Sequence, residues 1–193
     1  KQSINPRFYF GGYDQHVQEI SNPDSFLYQF KPVVTFFFLD HKTLLPELFN
    51  NFFELSSEKR LLLAEEKIKL VRTLCNKFIE QSKSHLVISN FLFSEECYMG
   101  VYDSKLVNGQ KEILEKMNSK LLNHTRENIR RFHFLDTEKV LSNYGKTRCS
   151  NEKMRYLAKM VIPDQTLPYL ARELMRFIRP IMGQTKKCLV LDL

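Results

Sequence analysis

Apolar residues in this chain fall into short unbroken runs, and between the runs they recur every three or four positions. The runs are Val33–Leu39, Leu86–Ile88 within 85–88, and Phe132–Leu135. In the first, β-branched and aromatic content without alternation predicts a strand buried on both faces, as in a parallel sheet, and the other two read as a second core strand and a third strand. Between the first two lies a helical pattern that Ser56 or Ser57 can cap, with Leu61, Leu62, Ala64, Ile68, Val71, Leu74, Cys75, Phe78 and Ile79 on one face. Asn108 opens a second long helix carrying Ile113, Leu114, Met117, Leu121, Leu122 and Ile129. Asp136 caps a helix over 137–144 that Gly145 ends, and Ser150 or Asn151 caps another bearing Met154, Leu157, Ala158 and Val161. After Pro163-Asp164 a final helix runs over 166–181, and a last strand over 187–193. The N-terminal part reads as a strand at 7–10 closed by Gly11-Gly12, then a short helix at 14–20, and residues 91–107 read as mostly loop. Strands alternating with helices predict a doubly wound α/β fold, a mostly parallel sheet flanked by helices in a three-layer sandwich.

Charge changes this picture most. Of the 193 residues, those from 144 to 187 hold ten basic and three acidic side chains, a surplus of seven that equals the net charge of the whole chain. Lys146, Arg148, Lys153, Arg155 and Lys159 crowd the start of this segment, with Tyr144 and Tyr156 among them. Such a face suits an acidic or phosphate-bearing partner. No recognition module or aromatic RNA-binding pattern points to nucleic acid. No apolar run reaches the roughly 18 residues of a membrane span, and no signal-peptide core follows Lys1, so the expectation is a cytoplasmic protein away from membranes. Four cysteines (75, 97, 149, 188) and five histidines (16, 41, 85, 124, 133) lie too far apart for a zinc motif, and reduced thiols are expected.

Three places offer chemistry. The first is the C-terminal run Lys186-Lys187-Cys188-Leu189-Val190-Leu191-Asp192-Leu193, a basic pair and an apolar strand delivering the Asp192 carboxylate to a sheet's ligand-binding end. An aspartate there can attack phosphorus or hold a cation, given partners from residues that follow. The second comprises the ends of the internal strands, Asp40-His41, Asn90 and Asp136. Asn90 has the side chain of an oxyanion donor, although satisfying backbone groups at a strand-to-loop turn explains it more cheaply. Helix capping does the same for Asp136. The third is the basic cluster as an anion-binding face. There is no G-x-S-x-G or G-D-S serine, and no complete triad.

The order Tyr156-Leu157-Ala158-Lys159-Met160, a proline turn, a long helix ending near Gly183 and then residues 186–193 resembles the segment joining the two domains of FkbH-like proteins, members of the haloacid-dehalogenase superfamily, subclass IIIC. Tyr13-Asp14-Gln15-His16, Glu19-Ile20, Asp24-Ser25, Phe30-Lys31-Pro32 and the strand end Phe134-Leu135-Asp136 are similar to that family's N-terminal domain. The resemblance implies an SGNH-like domain over 1–183. It further implies a linker and the opening strand of a phosphatase domain over 184–193, with Asp192 as the first aspartate of D-x-D-x-T and a Mg2+ ligand in the longer protein. It also implies that the SGNH serine strand would precede Lys1. The SGNH blocks depart from pattern: Ile88 and Phe91 flank Asn90 where glycine and aspartate are usual, and Leu167 stands for histidine in Asp164-Gln165-Thr166-Leu167-Pro168. A leucine cannot act as a base.

The resulting expectation is an accessory domain without hydrolase activity or cofactor of its own. The intact protein would move a glyceryl-type group from a phosphorylated small molecule to an acyl carrier protein, docked on the basic face. Two alternatives stay open. One is a divergent SGNH-type esterase or acyltransferase using His41 or His85. The other is a non-catalytic basic-faced interaction domain.

Overall fold

The structure, a computed structural model, describes residues 4–93, 97–128, 130–145 and 162–184. Its frame is a sheet of three parallel strands, β1 (Val34–Phe37), β2 (His85–Ser89) and β3 (Phe132–Leu135), in the order β1-β2-β3. The register pairs Val34 with His85, Phe37 with Ile88, Leu86 with Phe132, and Ser89 with Leu135. Side chains alternate across each strand, so this register sorts them into two faces. Phe37, Leu86, Ile88 and Phe132 enter the main core; Val34, Phe36, Val87 and Leu135 meet a second, smaller cluster. The α/β architecture is the one the sequence predicts, a parallel sheet flanked by helices in a sandwich.

The main core is closed by the crossover helices. After α1 (His16–Ser21), α2 (Phe26–Phe30), α3 (His41–Leu44) and α4 (Pro46–Asn50), the helix α5 (Ser57–Gln81) connects β1 to β2, and α6 (Gln110–Glu127) connects β2 to β3. Ser56 caps α5 by accepting the Lys59 N–H. The stripe Ala64, Ile68, Val71, Leu74, Cys75, Phe78, Ile79 is buried; Leu62, placed on that stripe by spacing, points to solvent. α6 starts differently from the expectation at Asn108. Gly109 is its N-cap, and the buried Asp103 carboxylate accepts the N–H groups of Gln110 (2.8 Å) and Lys111 (3.1 Å). A Cβ on Gly109 would lie 2.7 Å from the Asp103 carbonyl oxygen, which is why glycine stands there. Asp103 belongs to a 3-10 turn over Gly100–Lys105, inside the stretch expected to be loop. α7 (Thr137–Tyr144) follows β3, capped by Asp136 and ended by Gly145 at φ 107°.

The opposite face is covered by α8 (Leu167–Ile181), whose Leu170, Leu174 and Phe177 lie at i, i+4 and i+7 against Val87 and Leu135. Leu167 is half exposed at its start, and Asp164–Thr166 form a 3-10 turn before it. The expected helix around Met154 and the strand at 187–193 lie outside the described residues, as does Ile129.

Two further expectations are corrected. Residues 7–10 form no strand: Phe8 and Phe10 stack on each other at 6.0 Å and stay exposed, while Tyr9 packs on Phe30 at 5.8 Å. β1 is an edge strand among those described, and only its Phe37 is buried, so the burial on both faces expected of this run is not found in it; it is β2 that is buried over Leu86–Ser89. The helix α2 was invisible to spacing because its start is made by a side chain elsewhere. Glu19 Oε2 accepts the Leu27 N–H at 3.2 Å, and Ser25 donates to the Glu19 carbonyl at 2.7 Å.

On the α8 face, His85 Nδ1 and His133 Nε2 sit 3.0 Å apart, and Phe177 lies 6.1 Å from the His133 ring. Burial, then the neighbouring His85 charge, holds the His133 pKa below its usual value. A depressed folded-state pKa means that the unfolded chain binds the proton first. Stability is therefore complete above about pH 6.5 and falls as pH drops below it, by at most about 1.4 kcal/mol per pH unit for one group. His16 is shifted the same way, so His133→Gln is expected to flatten this slope in part. Unfolding free energies measured from pH 7.5 to 5 check this; an unchanged slope in the variant would contradict it.

Candidate functional site

Parallel strands deliver their carboxyl ends to one edge, and ligands of open α/β sheets bind there. Here that edge carries a cleft of about 240 Å³. Phe37, Phe38, Leu39, Leu44 and Leu92 supply apolar wall; Ser89, Asn90 and Thr137 form the floor; Tyr13, Asp14 and His16 close it from the N-terminal segment.

The strand ends are fastened by side chains. Ser89 Oγ accepts the Leu39 N–H at 2.8 Å, tying the end of β1 to that of β2. Asn90 bridges β2 to β3 and α7. Its Oδ1 accepts the N–H of Thr137 (2.9 Å) and of Glu138 (3.4 Å) as well as the Thr137 hydroxyl, while its Nδ2 donates to Asp136 Oδ1 (3.0 Å). Asp136 Oδ1 also accepts the Lys139 N–H at 3.0 Å. Asn90 is thus engaged as a clamp, in keeping with the backbone-satisfying role, and its amide group is turned toward Asp136.

Asp40 lines the cleft and caps α3. Its Oδ2 accepts the Thr43 N–H (3.2 Å) and the Thr43 hydroxyl (2.6 Å). That leaves the Thr43 oxygen to accept from the Tyr13 hydroxyl at 3.5 Å. His41, paired with Asp40 in the sequence reading, takes no part in the lining. It is 2% exposed with its ring 4.7 Å from Phe49, because an i-to-i+1 step at the start of α3 turns it into the core. His85 begins β2 and so stands at the end of the strand opposite the cleft, against His133. Both histidines therefore stand away from this cleft.

The sequence reading missed the other wall. Asp14 adopts φ 54°, a left-handed conformation uncommon outside glycine, and this brings its Oδ1 to 3.6 Å from His16 Nδ1. The His16 ring packs 5.3 Å from Phe37. Burial pushes its pKa down, and the Asp14 charge opposes that push. The available signal was Asp14-x-His16 one residue after Gly11-Gly12, a turn that can fold a short polar segment back over a strand end.

Lys146, Arg148, Lys153, Arg155, Lys159 and Asp192 lie outside the described residues. Among the described residues, no group of three His, Cys, Asp or Glu side chains is arranged to hold a metal ion. No helix there is long and apolar enough to cross a membrane. The basic character does continue onto α8, where Arg172, Arg176 and Arg179 share the exposed side, with Arg176 3.1 Å from Glu173.

Comparison with known proteins places this geometry. Residues 1–179 match the FkbH, N-terminal domain family. The chain belongs to that family. No curated protein matches it. Among solved structures, it is similar to the N-terminal part of the Bacteroides fragilis protein BF1531, described as containing a phosphatase domain complexed with Mg. The TM-score is 0.76 and the identity 24%, over 92% of this chain. At that identity the likeness establishes the fold. This FkbH N-terminal domain spans 45% of the length of that neighbour.

The clamp is open to test. Asn90→Ala strands the Thr137 N–H, leaves the Thr137 hydroxyl only the Asn90 carbonyl at 3.5 Å and takes one of the two donors from Asp136 Oδ1, and is expected to cost about 2–4 kcal/mol. Urea unfolding monitored by circular dichroism measures the loss. A change under about 0.5 kcal/mol, the scale of an ordinary surface substitution, would show that the bridge is incidental.

Proposed function

We propose that this chain is the accessory domain of an FkbH-like protein whose phosphatase-type domain frees a glyceryl-type group from a phosphate and passes it to the thiol of an acyl carrier protein. The observation that carries this reading is the family match across residues 1–179, together with a structural neighbour that carries a phosphatase domain with Mg. In this reading the described residues form the fixed scaffold and its cleft, of the SGNH-like kind. The phosphoryl chemistry falls to Asp192 and the residues beyond it, with Mg2+ as their cofactor. The described residues offer no fitting donor set for that ion.

Docking the carrier is the part this domain performs. Carrier proteins are acidic, and the surplus of positive charge from residue 144 onward gives them a complementary surface. Exposed Arg172, Arg176 and Arg179 lie one helical turn apart along α8, a stripe that an acidic helix can follow. Charges of this kind chiefly raise the association rate and weaken with salt.

Reversal of Lys146, Arg148, Lys153, Arg155 and Lys159 to glutamate, with Arg172 and Arg176 in a second set, is expected to weaken carrier binding at least tenfold. The wild-type affinity should fall steeply between low and high salt. Surface plasmon resonance on the full protein, with circular dichroism to verify the fold, measures both. Unchanged binding by correctly folded variants would remove the carrier from this surface.

A further inference from the structure

His85 and His133 stand on neighbouring strands, two residues ahead of Val87 and Leu135, on the sheet face that α8 covers. Their rings lie within 16° of parallel, with centroids 5.3 Å apart and the nearest nitrogens 3.0 Å apart. The centroid separation exceeds the nitrogen separation by only about the width of a ring, so the two nitrogens meet head-on. One ring then donates its N–H to the bare nitrogen of the other. A single added proton fits this bond, because an imidazolium can donate to a neutral imidazole. A second does not fit: two N–H donors would point at each other with no acceptor between them, and two positive charges would share the gap.

The described surroundings do little to offset that charge. On this face β1 offers Val34, beside His85, and Phe36, both apolar. Lys83 lies two residues before His85, and Arg131, just before β3, is committed to the Ile79 and Ser82 carbonyls at the end of α5. On α8, Glu173 is paired with Arg176 at 3.1 Å, and Arg172 and Arg179 lie on the exposed side. Tyr169 is at the other end of that helix, against Tyr144. Burial and then the His85 charge act on the His133 proton, and both lower its pKa.

We propose that the His85–His133 pair is an acid-sensitive latch, whose double protonation releases the C-terminal half of α8 from the sheet. Phe177, the last of the three inward side chains of α8, lies 6.1 Å from the His133 ring, so separating the rings disturbs its seat first. That end of the helix is already the weaker one. Pro180 lies inside it and has no N–H for the helical ladder. The cluster holding α8 is small, with Val87, Leu135 and Leu170 its fully buried members, so local opening costs less than global unfolding. Once α8 lifts, His133 regains an ordinary affinity for protons. Opening therefore takes up a proton that the latched pair refuses, and is promoted as pH falls below about 6.5, at most about tenfold per pH unit for one group.

Amide hydrogen exchange followed by NMR on the full chain at pH 7.5, 6 and 5, corrected for intrinsic rates, provides the test. Protection at Leu174, Phe177 and Ile178 is expected to fall at least fivefold relative to Val71 and Cys75 of α5 between pH 7.5 and 5. His133→Gln, whose amide can keep the bond to His85 without titrating, should abolish that relative loss. His85→Gln should reduce it, since burial of His133 remains but the facing charge is gone. His16→Gln at the cleft and Glu173→Gln on α8 should leave it in place, with circular dichroism verifying the fold of each variant. Equal loss of protection in α5 and α8 would show acid acting on the whole fold and would overturn the latch. A response of full size in His85→Gln would overturn the role of the pair.

Discussion

The fold depends on how three parallel strands end. Strands stopping side by side leave backbone N–H and C=O groups at one edge of the sheet, and each must find a partner or cost free energy. In this protein the partners are side chains at the strand ends or up to three residues past them. Ser89 takes the amide of Leu39, Asp40 takes that of Thr43, and Asn90 takes those of Thr137 and Glu138 while donating to Asp136. Asn90 is central because a carboxamide can accept and donate together, joining β2, β3 and α7 through one group. The cleft is the space these attachments leave, so its shape follows from the same bonds that finish the sheet.

The two sheet faces are built unequally, and that asymmetry bears on function. Two crossover helices with long apolar stripes bury one face within the main core. The other is covered by α8, which presents Leu170, Leu174 and Phe177 inward and arginines outward. A helix that seals a core with one side and displays cations on the other joins stability to partner recognition. Beneath it the paired His85 and His133 make the same layer sensitive to acid.

Much of this was legible beforehand. The strands at β2 and β3, the α5 stripe, the Ser56 and Asp136 caps and the Gly145 stop all follow from local patterns whose partners lie within a few residues. Errors arose where the partner is remote. Glu19 starts α2 and Asp103 starts α6 across gaps of eight and seven residues, which no capping pattern registers. Phe8 and Phe10 carry strand propensity without a described strand beside them. Strand-end logic places Asp40 and Asn90 at the cleft, because carboxyl ends of parallel strands converge on one edge. It misplaced His41, whose side is decided by the tight turn into α3, and it missed Asp14 and His16, whose approach depends on a backbone conformation that sequence alone does not announce.

The FkbH N-terminal domain thus presents a cleft fixed by its strand ends, beside a cationic helix. Native-state hydrogen exchange at the Leu39, Thr137 and Glu138 amides tests this most directly. If side-chain clamps hold the cleft, these amides open only with global unfolding and exchange at rates close to those of the β2 core. Exchange as fast as that of the exposed 7–10 segment would contradict the clamp, and with it a preformed cleft.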